Sequence, residues 1–224
     1  HRRRRRLHHR PRRCPKARKL DYITCDEMME LAAAGAGVLE TRSVELAKKY
    51  GVKLYLGRSL EKDMTKGTHI VEKYFEDAVV TGIGVTEDCT MLSIKCPFGG
   101  GTVSRLFNAI ADMKINVDMI SQQLDDKTTM LSFSTTEENA KELMQRMPEE
   151  HFAINEGLSK LSLVGAGMAT HSGVAAKALA TLFENSIQHY QITTSEISIS
   201  ITVDKENLQR ACDVLTAAFD LCEE

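Results

Sequence analysis

The sequence predicts an α+β protein in which one ferredoxin-like βαββαβ unit occurs twice. The first observation is a repeat, since matching residues recur 72 positions apart: Gly101 and Gly173, Ile115 and Ile187, Ile120 and Ile192. The second is the order of patterns in each copy, which run strand, small-residue loop, helix and further strands. The third is a strand count, because the second copy ends on a helix and the first has an extra strand ahead of it. A duplicated unit without a catalytic motif favours a binding function.

A segment at 14–77 precedes the repeats and has elements of its own. Apolar patterns predict helices at 26–34 and 43–50 and strands at 52–56 and 68–71. Asp26 is predicted to cap the first helix and Gly51 to close the second. A domain boundary is expected near 72–77.

The two repeats account for the rest of the chain. The first, 87–157, is predicted as strand 90–95, helix 102–113, strands 117–122 and 128–134, helix 137–147 and strand 152–155. The second, 158–224, is predicted as strand 159–164, helix 173–185, strands 189–194 and 197–203, and helix 205–219. Its missing last strand is predicted to be 79–85, so residues 78–86 join the second unit and the first unit is inserted between.

Charge is distributed unevenly. Residues 1–19 hold nine Arg and two Lys and no acid, which leaves 18 basic against 31 acidic residues, about −13, in the rest. An acidic body argues against a nucleic-acid surface, and we interpret the tail at 1–13 as disordered or artefactual. No apolar run is long enough to cross a membrane. Six cysteines without metal-ligand spacing, and no signal peptide, are typical of a cytoplasmic protein with reduced thiols and no bound metal.

The first repeat carries the residues that suggest a ligand. Gly99, Gly100 and Gly101 precede a predicted helix, whose N-terminus favours an anion such as an α-carboxylate. The next strand is expected to place Asp118 nearby as a partner for an α-ammonium group. Asn116, Gln122 and Gln123 add neutral hydrogen-bonding groups. Composition alone is also compatible with a simple tight turn in which Asp118 is a solvated surface charge, and it favours this interpretation over a ligand site.

Two glycine-rich stretches, one of them the loop at 99–101, can be compared with nucleotide-binding motifs. The stretch 165–170 lacks the third glycine of a dinucleotide fingerprint, since Thr170 stands there. The stretch 99–104 lacks the Gly-Lys-Ser/Thr of a phosphate-binding loop. Residues 194–196 lie between two predicted strands and are interpreted as a turn.

Several separated motifs, in order along residues 11–224, resemble the aspartate kinase family. Those similar to the end of its catalytic domain are Pro15-Lys-Ala-Arg-Lys-Leu-Asp, Asp26-Glu-Met-Met-Glu-Leu-Ala and Arg42-Ser-Val-Glu-Leu-Ala-Lys-Lys-Tyr-Gly51. Those similar to its paired ACT domains are Ile115-Asn-Val-Asp-Met-Ile120, Leu163-Val-Gly-Ala-Gly-Met168, His171-Ser-Gly-Val-Ala-Ala176 and Thr194-Ser-Glu-Ile197.

The resemblance implies the regulatory portion of an enzyme that phosphorylates the β-carboxylate of aspartate with MgATP. It implies feedback inhibition by lysine, threonine or both. It also implies homodimers or larger assemblies, in which ACT domains pair across subunits and the effector binds at that interface. The implied effector-binding residues are Gly101, Thr102, Val103, Asn116, Val117, Asp118, Gln122 and Gln123. This favours the ligand interpretation over the simple turn.

The chain also departs from the family's pattern. The Lys-Phe-Gly-Gly-Thr-Ser motif of the catalytic core is absent, so we expect no kinase turnover and no cofactor in this chain. Gly37 replaces a lysine associated with ATP binding, and Phe98 replaces an aspartate of the effector loop. The alternative is a free-standing amino-acid-sensing ACT protein; a nucleic-acid-binding tail protein ranks behind both.

Overall fold

The structure is a computed structural model that describes residues 17–57, 63–73, 79–168 and 171–222. The predicted tail at 1–13 lies outside the described residues, as do Thr170 and most of the boundary expected at 72–77. The described residues form two units. The smaller unit is Glu87–Lys160, and the larger combines the residues up to Thr86 with those from Leu161 onward.

The larger unit begins with a small sheet and two helices. Its elements are Tyr22–Thr24 (β1), Cys25–Ala33 (α1), Thr41–Lys49 (α2), Leu54–Leu56 (β2) and Thr68–Val71 (β3). The sheet order is β1-β3-β2, with β3 parallel to β1 and antiparallel to β2. Buried Ile23, Met28, Leu31 and Ile70 form the core beneath these elements. The predicted helices and strands of this segment are therefore present.

The cap of α1 differs from the prediction. Asp26 is not the N-cap; Thr24 is, and its hydroxyl accepts from the Glu27 amide at 3.2 Å. The Glu27 carboxylate in turn accepts from the Thr24 amide at 3.0 Å, which completes a capping box. Asp26 lies in the first turn and pairs with Lys48 at 2.6 Å. The Thr-x-x-Glu spacing satisfies two amides reciprocally, which a lone aspartate at 26 cannot do.

The smaller unit is the first repeat. It contains parts of Gly82–Pro97 (β4) and Phe152–Val164 (β7), with Thr102–Asp112 (α3), Asp118–Leu124 (β5), Thr128–Thr135 (β6) and Glu137–Arg146 (α4). The strand order is β5-β6-β4-β7, the ferredoxin-like arrangement with the first and last strands of the repeat adjacent. Buried Leu92, Leu106, Phe133 and Leu143 fill the space between sheet and helices.

The second repeat belongs to the larger unit and has the same plan. After the end of β7 come Val174–Glu184 (α5), His189–Thr194 (β8), Ser198–Asp204 (β9) and Leu208–Ala218 (α6). The strand order is β4-β7-β9-β8, so the start of β4 takes the place of the missing last strand. The Thr81 amide donates to Val164 O at 2.7 Å, and Val80, Ile83 and Val85 join this core. The prediction that this segment completes the second sheet is confirmed, although the strand begins at Gly82 and not at residue 79.

Two pairs of predicted strands are each one continuous strand. The strand predicted at 79–85 overlaps the start of β4, which begins at Gly82, and the strand predicted at 90–95 falls within β4. Those predicted at 152–155 and 159–164 both fall within β7. Exposed Glu87 and Asp88, and Gly157 with φ 72°, interrupt the apolar pattern without ending the extended backbone. Among the described residues, no helix is long and apolar enough to cross a membrane.

Candidate functional site

The glycine loop of the first repeat leads into α3 as predicted. Gly99 and Gly101 have φ of 75° and 72°, a left-handed conformation that favours glycine. Gly101 is the N-cap of α3, and no side chain caps this helix start. The first-turn amides therefore lack both an intrahelical partner and a capping side chain, so this end of α3 suits an anion.

Arg105 places a cation beside this loop, which the sequence analysis missed. Its guanidinium donates to Thr102 Oγ1 at 3.1 Å, to Gly100 O at 3.4 Å and to Glu150 Oε1 at 3.0 Å. The signal was available, because residue 105 lies one helical turn after Gly101 on the same face. Arg105 thus places a guanidinium, paired with Glu150, beside a helix start whose dipole favours a negative group.

The register of the sheet separates the two halves of the predicted site. Asp118 pairs with Ser134, which pairs with Met91, whereas the glycine loop follows Pro97. Met91 and Pro97 are six residues apart on β4. At a rise of about 3.3 Å per residue, Asp118 lies about 20 Å from the loop, measured along the strand direction. The prediction that Asp118 lies near the loop of its own unit is wrong. The physical reason is that α3 returns the chain to the far end of the sheet before β5 begins.

Asn116 and Val117 lie at the same far end as Asp118. Thr135 Oγ1 donates to the backbone carbonyl oxygen of Asn116 at 2.8 Å. The side chain of Asn116 is exposed and takes no part in this hydrogen bond. Val117 is partly buried against the core of the unit, as is Val103 in the first turn of α3. These two valines therefore have structural side chains, and only their backbones are candidates for ligand contact.

Gln122 and Gln123 lie at the loop end of β5 but on opposite faces of the sheet. Gln122 pairs with Leu131, a core residue, so its side chain is on the helix-covered face. Gln123 pairs with Met130 on the other face. By the same alternation Asp118, opposite Ser134, lies on the face away from the helices. One pocket in one copy of the unit thus cannot hold all eight predicted residues.

Asp118 already has a cationic partner within the unit. Lys160 Nζ donates to Asp118 Oδ2, and the Met119 amide donates to Asp118 Oδ1 at 2.8 Å. Partial burial acts to raise the pKa of Asp118, but the hydrogen bond and charge of Lys160 and the Met119 amide outweigh it and hold that pKa below its usual range. Sequence reasoning missed Lys160 because 42 residues separate the two.

An open cavity lies elsewhere, in the larger unit. It measures about 480 Å³ and contains none of the eight predicted residues. Its lining residues are Asp26, Met29, Glu30, Ala33, Thr41, Ser195, Glu196 and Ile197. Among the described residues, no group of three or more His, Cys, Asp or Glu side chains is arranged to hold a metal ion.

Comparison with known proteins gives the class first. A family model described as an ACT domain matches residues 161–219, which is the second repeat. Together with the duplicated ferredoxin-like sheet, this defines a protein with two ACT domains in tandem.

Similarity to particular proteins then gives the family. An aspartokinase of Bacillus sp. strain MGA3 is 38% identical over 222 residues, which is 94% of this chain and 54% of that protein. A solved structure of aspartokinase alpha and beta subunits is 33% identical with a TM-score of 0.58, and covers 63% of this chain and 99% of its own. Escherichia coli aspartokinase III, solved with lysine and aspartate in the T-state, shares the fold at 20% identity and a TM-score of 0.73, over 95% and 48% of the two chains.

The chain belongs to the aspartokinase family and corresponds to its regulatory portion. It spans about half the length of the curated relatives it matches. Because the alignments cover 94% of the chain, they include the segment ahead of the repeats, which favours a regulatory portion over a free-standing sensor.

Proposed function

We propose that this chain binds lysine or threonine as a feedback effector through its first ACT repeat, and that it passes this signal to an aspartate kinase catalytic domain. That domain would phosphorylate the β-carboxylate of aspartate with MgATP. The observation that carries the proposal is the uncapped start of α3, with Gly101 as N-cap and Arg105 beside it. The lysine complex of the E. coli relative supports an amino acid as the ligand.

The effector site is proposed to lie between two copies of the chain. The glycine loop and the 116–118 segment lie at opposite ends of β5, and β5 is an edge strand. If β5 of one copy runs antiparallel to β5 of a second, the 116–118 end of each comes level with the loop end of the other. This pairing brings together halves that a single copy holds about 20 Å apart.

Exposed apolar side chains on β5 support such a pairing. Ile120 is 49% exposed and Leu124 is 62% exposed, and both lie on this edge strand. An apolar edge strand with unpaired backbone groups is a template for association with a second chain. Burying these side chains against a second copy would stabilise the pair.

Each end of the amino acid has a defined role in this arrangement. The α-carboxylate would accept hydrogen bonds from the amides of residues 101–103, with Arg105 adding charge. The α-ammonium would donate to the 116–118 segment of the second copy. In that segment the Asp118 carboxylate also accepts from Lys160. Gln122 and Gln123 remain the neutral candidates for contact with the effector side chain.

Titration calorimetry with lysine and with threonine tests the proposal. Asp118→Ala should weaken binding of the effector by roughly tenfold, because a charge-assisted hydrogen bond is lost at a partly exposed group. Asp112→Ala, an exposed aspartate at the end of α3, is the matched control and should leave affinity unchanged. If the unmodified chain binds neither amino acid, the proposed function is wrong; if Asp118→Ala binds as tightly, the site assignment is wrong.

A further inference from the structure

The larger unit holds a buried carboxylate that the proposed effector site does not use. Glu27, on α1, is only 5% exposed. Its Oε2 accepts from the amide and the hydroxyl of Thr24, at 3.0 and 2.7 Å. Its Oε1 accepts from the Thr81 hydroxyl and from the Ala166 amide, the latter at 3.0 Å. These four donors match the four lone-pair sites of a carboxylate.

Two of these donors are local and two are remote. The Thr24 contacts form the capping box of α1, which needs no other partner. Thr81 and Ala166 are 54 and 139 positions away in the sequence. Thr81 immediately precedes β4, and Ala166 lies in the loop between β7 and α5. The remote pair thus ties the first turn of α1 to two parts of the second repeat.

Other contacts hold α1 against the second repeat along its length. Ser198 Oγ, at the start of β9, donates to Glu30 Oε1 at 2.7 Å. Beyond the helix end, a Cβ on Gly84 would lie 2.2 Å from Ala34 Cβ, and a Cβ on Gly35 would lie 2.4 Å from Val85 O. Because real Cβ contacts are never this short, both glycines are required by the close approach of α1 and β4.

We propose that Glu27 couples α1 to the second ACT repeat, so that helix and repeat open and shift as one cooperative element. If the 165–168 loop or Thr81 moved alone, a buried carboxylate would lose donors that water cannot replace. The helix therefore follows the repeat. The coupling itself needs no ligand. A second claim rests on the proposed function: the coupling carries the effector signal to the segment that resembles the end of a kinase domain.

Hydrogen exchange of the full chain, followed by mass spectrometry, tests the coupling. Thr81→Val removes one donor with little change of shape, and Glu27→Gln removes the charge. Each variant should speed exchange in both α1 and the 165–168 loop by roughly tenfold. The reason is that each change weakens the Glu27 side chain that joins the two regions: Glu27→Gln removes the charge of the acceptor, and Thr81→Val removes a donor that holds this acceptor in place. Thr81→Ser, which keeps the hydroxyl, should exchange like the unmodified chain.

Two control variants separate coupling from local effects. Thr24→Ala removes the local hydroxyl and leaves both remote donors of Glu27 in place, so faster exchange should stay within the first turn of α1. Glu45→Gln, on an exposed position of α2, should change neither region. If Glu27→Gln does not fold, Thr81→Val decides the question. Faster exchange confined to α1, or to the neighbourhood of residue 81, would overturn the proposal.

A second arm adds lysine or threonine at saturating concentration. The effector should change exchange in α1 of the unmodified chain, and in Thr81→Val that change should be reduced at least threefold. An equal change in both proteins would overturn the regulatory use of Glu27. If neither amino acid binds, the proposed function fails and so does this use, whereas the ligand-free coupling is judged by the first arm alone.

Discussion

The two ACT repeats share one fold but treat their strand-to-helix loops differently. In the first repeat, a Cβ added at Gly99 would meet no atom within 4 Å. In the second, a Cβ on Gly165 would lie 2.1 Å from Val79 O, and the neighbouring Ala166 amide is bonded to Glu27. The second loop is thus fastened to α1 at its start, whereas its end at Gly173 is an open, uncapped helix start like that at Gly101. We propose that this difference reflects a division of labour, with ligand contact in the first repeat and transmission in the second.

The position equivalent to Asp118 makes the same point. Seventy-two residues on, the second repeat has Tyr190, whose hydroxyl donates to Asp204 at 2.7 Å. Asp118 instead pairs with Lys160. Each group has a partner within its own repeat, but the Asp118 carboxylate is an acceptor with about four sites and can accept further bonds from a ligand.

The largest expected effect contrasts the two glycine loops. Gly165→Ala should destabilise the chain by about 3 kcal/mol, since the new Cβ collides with backbone that cannot move freely. Gly99→Ala should cost only about 1 kcal/mol, because the space is open and only the left-handed φ is unfavourable. Urea denaturation of both variants measures this. Equal losses would remove the distinction between an open and a fastened loop.

An intermediate effect concerns the Asp118–Lys160 pair. Lys160→Met should raise the pKa of Asp118, because partial burial then acts without the lysine that outweighs it. The stability that Asp118 contributes is present above its unfolded pKa of about 3.9 and is lost as pH falls through the lower folded pKa. The stability difference between variant and unmodified chain should therefore shrink on acidification.

Carbon-detected NMR titration of the carboxylates measures that pKa. Lys141→Met is the control, since Lys141 pairs with Glu137 on an exposed helix face. It should leave Asp118 unchanged. A Lys160→Met protein in which Asp118 titrates as before would show that the pair does not hold in solution.

The smallest expected effect is at Tyr190. The hydrogen bond to Asp204, followed by partial burial and the charge of Asp204, raises the pKa of this phenol. Asp204→Asn should lower it toward about 10, the usual tyrosine value. The stability linked to the raised pKa is present below the unfolded value and is lost as pH rises through the folded one. Ultraviolet titration against a Tyr190→Phe reference isolates the signal; no shift would contradict the assigned bond.

Most of the fold was predictable because periodicity and strand counting depend on local pattern. The helix at 102–112 and the strand at 189–194 follow apolar spacing that the sequence displays directly. The assignment of the 79–85 strand to the sheet of the second repeat followed from counting the strands in each repeat. The continuous strands β4 and β7 were not predicted, since exposed Glu87 and Asp88 interrupt the apolar pattern but not the backbone.

The candidate site was predictable in composition but not in geometry. The glycine loop and helix start were found because turn chemistry is local. The distance from that loop to Asp118 depends on sheet register, which the chain does not display. The partners of Asp118 and Glu27 were missed for the same reason, because Lys160, Thr81 and Ala166 come close only through tertiary packing.

Mixing two variants tests the shared effector site most directly. Gly101→Asp should abolish binding of the α-carboxylate, since the added carboxylate repels an anion at this helix start. Asp118→Ala should weaken the half of the site that binds the α-ammonium group. Each protein alone should bind effector poorly by calorimetry.

After the two variants exchange subunits, pairs of unlike chains should contain one intact site, which restores about a quarter of the unmodified binding capacity at equal mixing. Recovery of tight binding in the mixture is the result expected if the site forms between two copies. A mixture that binds no better than its separate components would contradict a site shared across β5.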